Sequence, residues 1–418
     1  MDINEPADVC LINTCTVTQK AESRCRNMIR RVIRISPNAF FIVAGCYAEM
    51  DADKLKKIDG IDLILGSDAK FSLFEHLDGL RKKSSPEVHL DSSNDCPKFL
   101  SPSSGHFFEH TRAFLKIQDG CDAFCSYCIV PYVRGRIRSG IPENICQQAR
   151  ELVDKGHREI VLTGAHIGCY GKDQTPPVNL VDLLIQLEKI DGLDRIRLSS
   201  IEPIEVTTRL IELMAYSKKI CPHLHIPLQS GDPDILRAMN RHYSPKEYKM
   251  LIESATEKIP NIAIGTDVMV GFPGETQQQA ENTFNLVQSL PVSYLHIFSY
   301  SVRKGTAAER LPARVTNDIK KLRSQRLQRL GKEKKIAFQR RFIGKILNVL
   351  FEQIDSDHAV TGLSENYIRV RICSDDLLTN QIKPVMIEKA DGECVWGNLL
   401  PERHCSESSG KVVDSEIQ

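Results

Sequence analysis

Apolar positions along the chain fall into short runs separated by stretches with helical spacing, and the pattern changes character twice. Up to about residue 85, Val9 to Asn13, Phe40 to Ala44 and Asp62 to Leu65 read as strands. Thr18 to Ile35, Ala52 to Ile58 and Lys70 to Arg81 read as helices between and after them. Strand and helix in turn is the pattern of a small parallel α/β unit. Residues 86–110, rich in Ser and Pro, read as a linker. From 111 to 315, strand then helix repeats six times. The strands are expected at Ala113–Ile117, Glu159–Thr163, Arg195–Ser199, Leu224–Leu228, Ala263–Val268 and Tyr294–Ser299, with helices such as Pro142–Lys155 and Val178–Ile190 between them. Six units are too few for a complete eightfold barrel and enough for an open, partial one. In such sheets chemistry gathers at the C-terminal strand ends, where loops converge.

A polar stretch, Thr316 to Arg341, predicts one long helix, and the β-type runs Ile346–Phe351, Tyr367–Ile372 and Ile382–Ile387 predict a small all-β module over about 342–402. Residues 403–418, with Ser406, Glu407, Ser408 and Ser409, read as a disordered tail. The expected fold class is therefore α/β: a partial (β/α)6 barrel, preceded by a small parallel α/β domain and followed by a small β barrel.

Composition agrees with a folded chain. The 418 residues are 41% hydrophobic and 26% charged, which excludes a largely disordered or collagen-like protein. Lys and Arg number 55 against 54 Asp and Glu, but the balance is uneven. Between Ser301 and Leu350 there are fifteen basic residues and three acids, and Arg24, Arg26, Arg30 and Arg31 make a second basic strip. Such runs serve equally as solvated helix faces or as phosphate contacts. A near-neutral protein with localised basic strips suits a selective nucleic-acid partner. No apolar run approaches the ~18–20 residues that span a bilayer, and the first residues lack the basic start and apolar centre of a signal peptide. A soluble, cytoplasmic protein with no membrane partner is expected.

The fourteen cysteines are too few for a disulfide scaffold. Three of them, Cys121, Cys125 and Cys128, lie within eight residues directly after the first strand of the second segment. A structural zinc site would need a fourth ligand from elsewhere, such as His110 or Cys146. A four-iron cluster takes thiolates as its standard ligands, and three of them leave one iron open for a substrate or cofactor.

This Cys-x3-Cys-x2-Cys loop after the first strand of a partial barrel resembles the radical S-adenosylmethionine superfamily. Lys116-Ile-Gln-Asp-Gly-Cys121 through Cys128-Ile-Val-Pro-Tyr-Val-Arg-Gly135 is similar to the methylthiotransferase signature within it. Leu162 to Gly171, Ser200-Ile-Glu-Pro203, Pro227 to Gly231, Met239-Asn-Arg241, Gly265 to Glu275 and Phe298 to Arg303 follow in that family's order. Gln118-Asp119-Gly120 and His166-Ile167-Gly168 look most like the branch that modifies N6-threonylcarbamoyladenosine beside the tRNA anticodon. The branches acting on isopentenyladenosine or on a ribosomal-protein aspartate usually differ there.

The resemblance implies a radical S-adenosylmethionine barrel in which Cys121, Cys125 and Cys128 hold a [4Fe-4S] cluster that binds S-adenosylmethionine. Tyr127, Thr163, Gly164, Glu202, Gln229, Gly271 and Gly274 match positions around that cofactor. One S-adenosylmethionine is expected to methylate a sulfur on an auxiliary cluster. A second yields a radical that takes hydrogen from adenine C2, with electrons from a reductant such as flavodoxin or ferredoxin. Asn13-Thr14-Cys15 and Gly45-Cys46 match two of three auxiliary-cluster ligands, so Cys15 and Cys46 are expected to hold it. The third ligand has no counterpart, because Met1 falls inside the expected first βα unit, and a truncated sequence is expected; the alternative is an incomplete auxiliary cluster, in a cluster-bearing RNA-binding protein that lacks thiolation activity. Cys10 would lie about 17 Å from Cys15 on the opposite strand face, and Cys25 would reach the site only by rearrangement. The last module resembles the TRAM-like RNA-binding barrel, with Phe351 and Tyr367 able to stack on an unpaired base or to serve as core. With the basic helix before it, it is expected to meet the tRNA anticodon loop region.

Overall fold

A computed structural model describes residues 5–16, 18–77, 79–91, 99–100, 111–354, 359–374 and 376–400. The expected tail, His110, and most of the expected linker lie outside the described residues. The chain forms two compact units, the first comprising 1–338 with 365–367 and the second 339–364 with 368–418.

The first unit opens with four parallel strands, β1 (Val9–Thr14), β2 (Phe40–Gly45), β3 (Leu63–Leu65) and β4 (Glu87–His89), in spatial order 1-2-3-4. All six residues of β2 are buried, as expected of a parallel strand covered on both faces. Phe41 and Val43 pack with helices α1 (Gln19–Ile35) and α2 (Cys46–Leu55), while Phe40, Ile42 and Ala44 pack with Leu63, Leu65 and Leu73. Thr18 caps α1, its hydroxyl accepting from the Ala21 amide at 3.1 Å. The structure corrects three expectations. Helix α2 starts at Cys46 rather than Ala52. The predicted helix Lys70–Arg81 is a short 3-10 segment, Ala69–His76, whose start is set by the Asp91 carboxylate accepting from the Asp68 and Ala69 amides (2.7 and 2.8 Å). The linker begins with β4, which pairs with β3.

The barrel strands β5 (Arg112–Lys116), β8 (Glu159–Thr163) and β9 (Arg195–Leu198) form one parallel sheet. Strands β10 (His223–His225), β11 (Ala263–Val270) and β12 (Tyr294–Ser299) form another. Parallel bridges Ile196–Ile220 and Ser200–His225 join them into a six-strand open barrel. Strand β10 is shorter than expected because Pro227 has no amide hydrogen to donate to a ladder. Strands β6 (Gln118–Asp119) and β7 (Arg138–Ser139) form an antiparallel ribbon at the first strand's end. Alternate strand residues, among them Leu115, Leu162, Leu198, Leu224, Val268 and Ile297, face an outer layer built mainly from α4 (Pro142–Asp154), α5 (Leu180–Leu187), α6 (Thr208–Tyr216) and α8 (Pro245–Lys258). The intervening residues face the barrel lumen. Helix α9 (Gln277–Ser289) starts with a capping box between Thr276 and Gln279, and α10 (Asn317–Arg340) follows the barrel.

The second unit is a closed five-stranded barrel of β13 (Ile346–Ile354), β14 (Ala359–Ser364), β15 (Arg369–Cys373), β17 (Val395–Leu399) and β16 (Ile382–Ala390), in that order around the wall. Phe351 is fully buried in it, so its ring is core and not a free stacking surface.

Candidate functional site

The β6–β7 ribbon closes a loop that carries Cys121, Cys125, Cys128 and the short helix α3 (Val130–Arg134). At its neck the Cys121 amide donates to the Gly135 carbonyl at 3.1 Å. Gly120 has φ +70°, and a Cβ there would come within 1.8 Å of the Arg136 carbonyl oxygen, so no other residue closes this neck unstrained. Gln118 gives its side-chain amide to the carbonyls of Asp119 and Gly120, both at 2.7 Å, and its Oε1 accepts from the His166 amide at 2.7 Å. From the opposite side, Asn240 Nδ2 holds the carbonyls of Ala123 and Phe124 at 3.2 and 3.0 Å. Ser126 is tied to the Met239 and Ala238 carbonyls. The loop is thus clamped at both ends by residues distant in the chain.

The three thiols sit half-buried within it. Burial pushes Cys128 up to about 12, and the sulfurs of Cys125 and Cys121 add to the rise. Cys125 is also raised by burial, against the opposing pull of Arg241, whose Nη1 lies 3.5 Å from its Sγ. Cys125 and Cys128, whose ionisation burial and the neighbouring sulfurs disfavour, become thiolates when a cationic centre neutralises them, so the three-sulfur donor set fits an iron cluster. Such a cluster, when bound, supplies the one electron that no side chain delivers.

Around the loop, His166 places Nδ1 3.4 Å from Cys121 Sγ and Nε2 3.0 Å from Glu205 Oε2. Burial opposes its charged form, but hydrogen bonds to Cys121, Cys169 and Glu205 outweigh it and push the imidazole up to about 12. Glu202 pairs through both oxygens with the buried Arg241, one contact at 2.9 Å. Gln229, at φ +63°, is fixed by backbone bonds to Asp267 and Met269, and its buried Oε1 meets no donor among the described residues. That orphaned acceptor fits a polar cofactor group. Thr163 ends β8, and Gly164 packs against Gln118, its Cβ position 2.8 Å from Oε1. Tyr127 leans into an apolar cluster with Phe272, Met239 and Tyr300.

Two further expected positions lie beside α10. A Cβ at Gly271 would meet the Lys320 side chain at 2.3 Å, so the close approach this glycine permits is that of α10. Gly274 lines a cavity with Arg314, Arg323 and Arg326 beside the same helix. Cys146 is buried with the barrel core residues and gives no fourth ligand to the Cys121 loop. Sequence reasoning missed His166, Asn240 and Arg241 as site residues. All three lie in motifs it quoted, but their contacts to the loop are made across the fold.

A second cysteine pair stands at the C-terminal ends of β1 and β2. Thr14 and Gly45 are register partners, so Cys15 and Cys46 follow on adjacent strands. Gly45 has φ +101°, and a Cβ would lie 2.6 Å from Asn13 Oδ1. Arg134 Nε approaches Cys46 Sγ at 3.3 Å, and Cys46 packs on Ile129 and Val133, just after Cys128. Cys25, expected to be remote, puts its Sγ 3.8 Å from the Cys15 carbonyl oxygen, because α1 turns its first turns over the end of β1. Cys10 is in the apolar core.

Comparison with known proteins fits this geometry. The Radical SAM superfamily model matches residues 115–287, and the uncharacterized family UPF0004 matches 1–66. The fold resembles the radical S-adenosylmethionine methyltransferase TsrM from Kitasatospora setae, bound to cobalamin and a [4Fe-4S] cluster. The TM-score is 0.54 at 14% identity, over 73% of this chain and 66% of that one. The chain is 35% identical to the threonylcarbamoyladenosine tRNA methylthiotransferase MtaB of Bacillus subtilis, over 93% of this chain and 87% of that protein. It is 36% identical to the tRNA-2-methylthio-N(6)-dimethylallyladenosine synthase of Clostridium botulinum, over 95% and 89%. The fold and site define a radical S-adenosylmethionine enzyme. Within that class the chain belongs to the methylthiotransferase family, as a member that acts on tRNA and uses [4Fe-4S] clusters and S-adenosylmethionine. Zinc, open on cysteine spacing alone, gives way to iron on family membership. Among the described residues no helix is long and apolar enough to cross a membrane.

Proposed function

We propose that this enzyme adds a methylthio group to C2 of N6-threonylcarbamoyladenosine at position 37, next to the tRNA anticodon. The supporting observation is the contact between Gln118 and His166, which joins the two stretches where the family's branches part, directly beside Cys121. The relatives named for this substrate support it, while those named for the dimethylallyl substrate stand at similar identity.

In this reading Cys121, Cys125 and Cys128 hold the cluster that binds S-adenosylmethionine. Tyr127, Thr163, Gly164, Glu202 and Gln229 surround that cofactor, with Glu202 reaching it together with Arg241. Cys15 and Cys46 hold the auxiliary cluster, with Cys25 the nearest further thiol. The C-terminal barrel is TRAM-like, and with α10 it contacts the tRNA around the anticodon loop. The enzyme works in the cytoplasm with a flavodoxin- or ferredoxin-type reductant.

Mass spectrometry of tRNA nucleosides from a strain lacking the gene tests the substrate. Threonylcarbamoyladenosine without its methylthio group is the expected result, and full retention of that group overturns the reading. Cys121→Ala is expected to abolish release of deoxyadenosine from S-adenosylmethionine and to lower bound iron by about four per chain.

A further inference from the structure

Inside the barrel, below the cysteine loop, three polar side chains from three adjacent strands converge. His225 Nε2 lies 2.8 Å from Asp267 Oδ1, and His296 Nδ1 lies 3.4 Å from the same oxygen. Asp267 and His296 are register partners on β11 and β12, so their side chains leave the same face. That face is the lumen, because the alternating neighbours Val268 and Ile297 pack outward on the helices.

The triad is built rather than incidental. His225 is held from its other side by the Tyr294 hydroxyl at 3.3 Å from Nδ1. The Tyr294 ring fits there because position 265 is glycine, where a Cβ would come within 2.1 Å of it. The two imidazoles stack with centroids 5.0 Å apart. Asp267 and His225 are largely buried, whereas the His296 side chain is 55% exposed and its Nε2 has no partner among the described residues. Nearer the N-terminal strand ends the lumen is floored by Glu159, paired with Arg197 at 2.6 Å and with Arg195 at 3.6 Å. A group entering from the cysteine loop therefore meets an open imidazole backed by a carboxylate.

We propose that this triad receives the N6 substituent of the substrate adenosine, with His296 Nε2 contacting the carboxylate of its threonyl group. The assignment rests on the substrate reading above and extends it to the residue that reads the substituent. A carboxylate brought to Nε2 favours the doubly protonated ring, and Asp267 supports that charge from the other nitrogen. An apolar isopentenyl group would instead strip water from Asp267 and the two imidazoles without replacing their hydrogen bonds, which is unfavourable.

Binding of anticodon stem-loop RNAs to the iron-loaded enzyme tests this. The RNAs carry at position 37 threonylcarbamoyladenosine, its carboxyl methyl ester, or isopentenyladenosine. The wild type is expected to prefer the free acid to the ester by about tenfold, the scale of one charge-assisted hydrogen bond. His296→Leu is expected to erase that preference with iron content unchanged, and His296→Gln to restore part of it. A variant that still separates acid from ester overturns the role of His296. One equivalent of zinc held by the wild type and lost in His296→Leu overturns it too, by making the triad a metal site. A wild type that prefers the isopentenyl RNA overturns the substrate reading itself, and the ligand assigned to the triad with it.

Discussion

His166 is held between the Sγ of Cys121, 3.4 Å from Nδ1, and the Oε2 of Glu205, 3.0 Å from Nε2. Both it and Glu205 are largely buried, so the carboxylate fixes the ring and aims its second nitrogen at the sulfur. A hydrogen bond to a ligating sulfur stabilises the more negative, reduced form of a cluster. Removing it in His166→Leu is expected to lower the midpoint potential by on the order of 60 mV, the equivalent of tenfold in a one-electron equilibrium. Anaerobic redox titration followed by electron paramagnetic resonance measures this. An unchanged midpoint with full iron loading would separate His166 from the redox centre.

Arg303, just after the last barrel strand, reaches helix α1 through Glu22, which it meets at 2.7 Å, and the loop after β1 through the carbonyl of Thr16, the residue after Cys15. The two side chains are 3% and 9% exposed. Taking away one partner of such a pair leaves a buried charge uncompensated, which costs about 3–5 kcal/mol. Arg303→Met should therefore lower the urea midpoint of unfolding strongly, and Glu22→Gln should lower it less because the amide oxygen still accepts. Equal stability of Arg303→Met and the wild type would show that the pair adds nothing.

Which parts of this architecture can be read from the chain follows from the range of the forces involved. Strands buried on both faces, such as Phe40–Gly45, show as continuous apolar runs because every position is covered. The cysteine loop is legible because its three sulfurs are close in sequence. The 3-10 segment at Ala69–His76 is not, since its start is held by Asp91, 22 residues on from Ala69. The contacts of His166 with Cys121 and of Arg241 with Cys125 span 45 and 116 residues, and no local spacing predicts them. Gly271 shows the converse: its conformational freedom is readable, but that it admits Lys320 is a matter of packing.

The Asp267 carboxyl is pushed down to about 2 by its two imidazole neighbours. Burial raises it, but hydrogen bonds and charge from His225 and His296 outweigh that and lower it from 3.8. A carboxylate depressed in the folded state stabilises the fold above its unfolded pKa, and that contribution is lost as pH falls through the folded value. The difference corresponds to about 2 kcal/mol at neutral pH. Asp267→Asn is expected to be less stable than the wild type by about that amount at pH 7, with the gap narrowing between pH 4 and pH 2. Urea unfolding of the apo-protein at pH 7 and pH 3 gives the two values. A gap that does not change with pH would assign the loss to packing rather than to charge.

Helix α10 carries two kinds of basic residue. Arg326 is paired with Glu281, Nη2 to Oε1 at 2.8 Å, and Arg323 with Glu275. Lys321, Arg329 and Lys332 are exposed and carry no ion pair among the described residues. At 100° per residue these three project within one face of the helix. Counterion release makes each phosphate contact visible as about one unit of slope in a plot of log affinity against log salt. Replacing all three by Gln is expected to weaken tRNA binding uniformly across tRNA species and to reduce that slope by about three. Arg326→Gln, which removes a charge already engaged by Glu281, should change the slope by less than one. Filter binding over a series of potassium chloride concentrations resolves the two. Equal slopes for the triple variant and the wild type would mean that this face of α10 does not meet the RNA backbone.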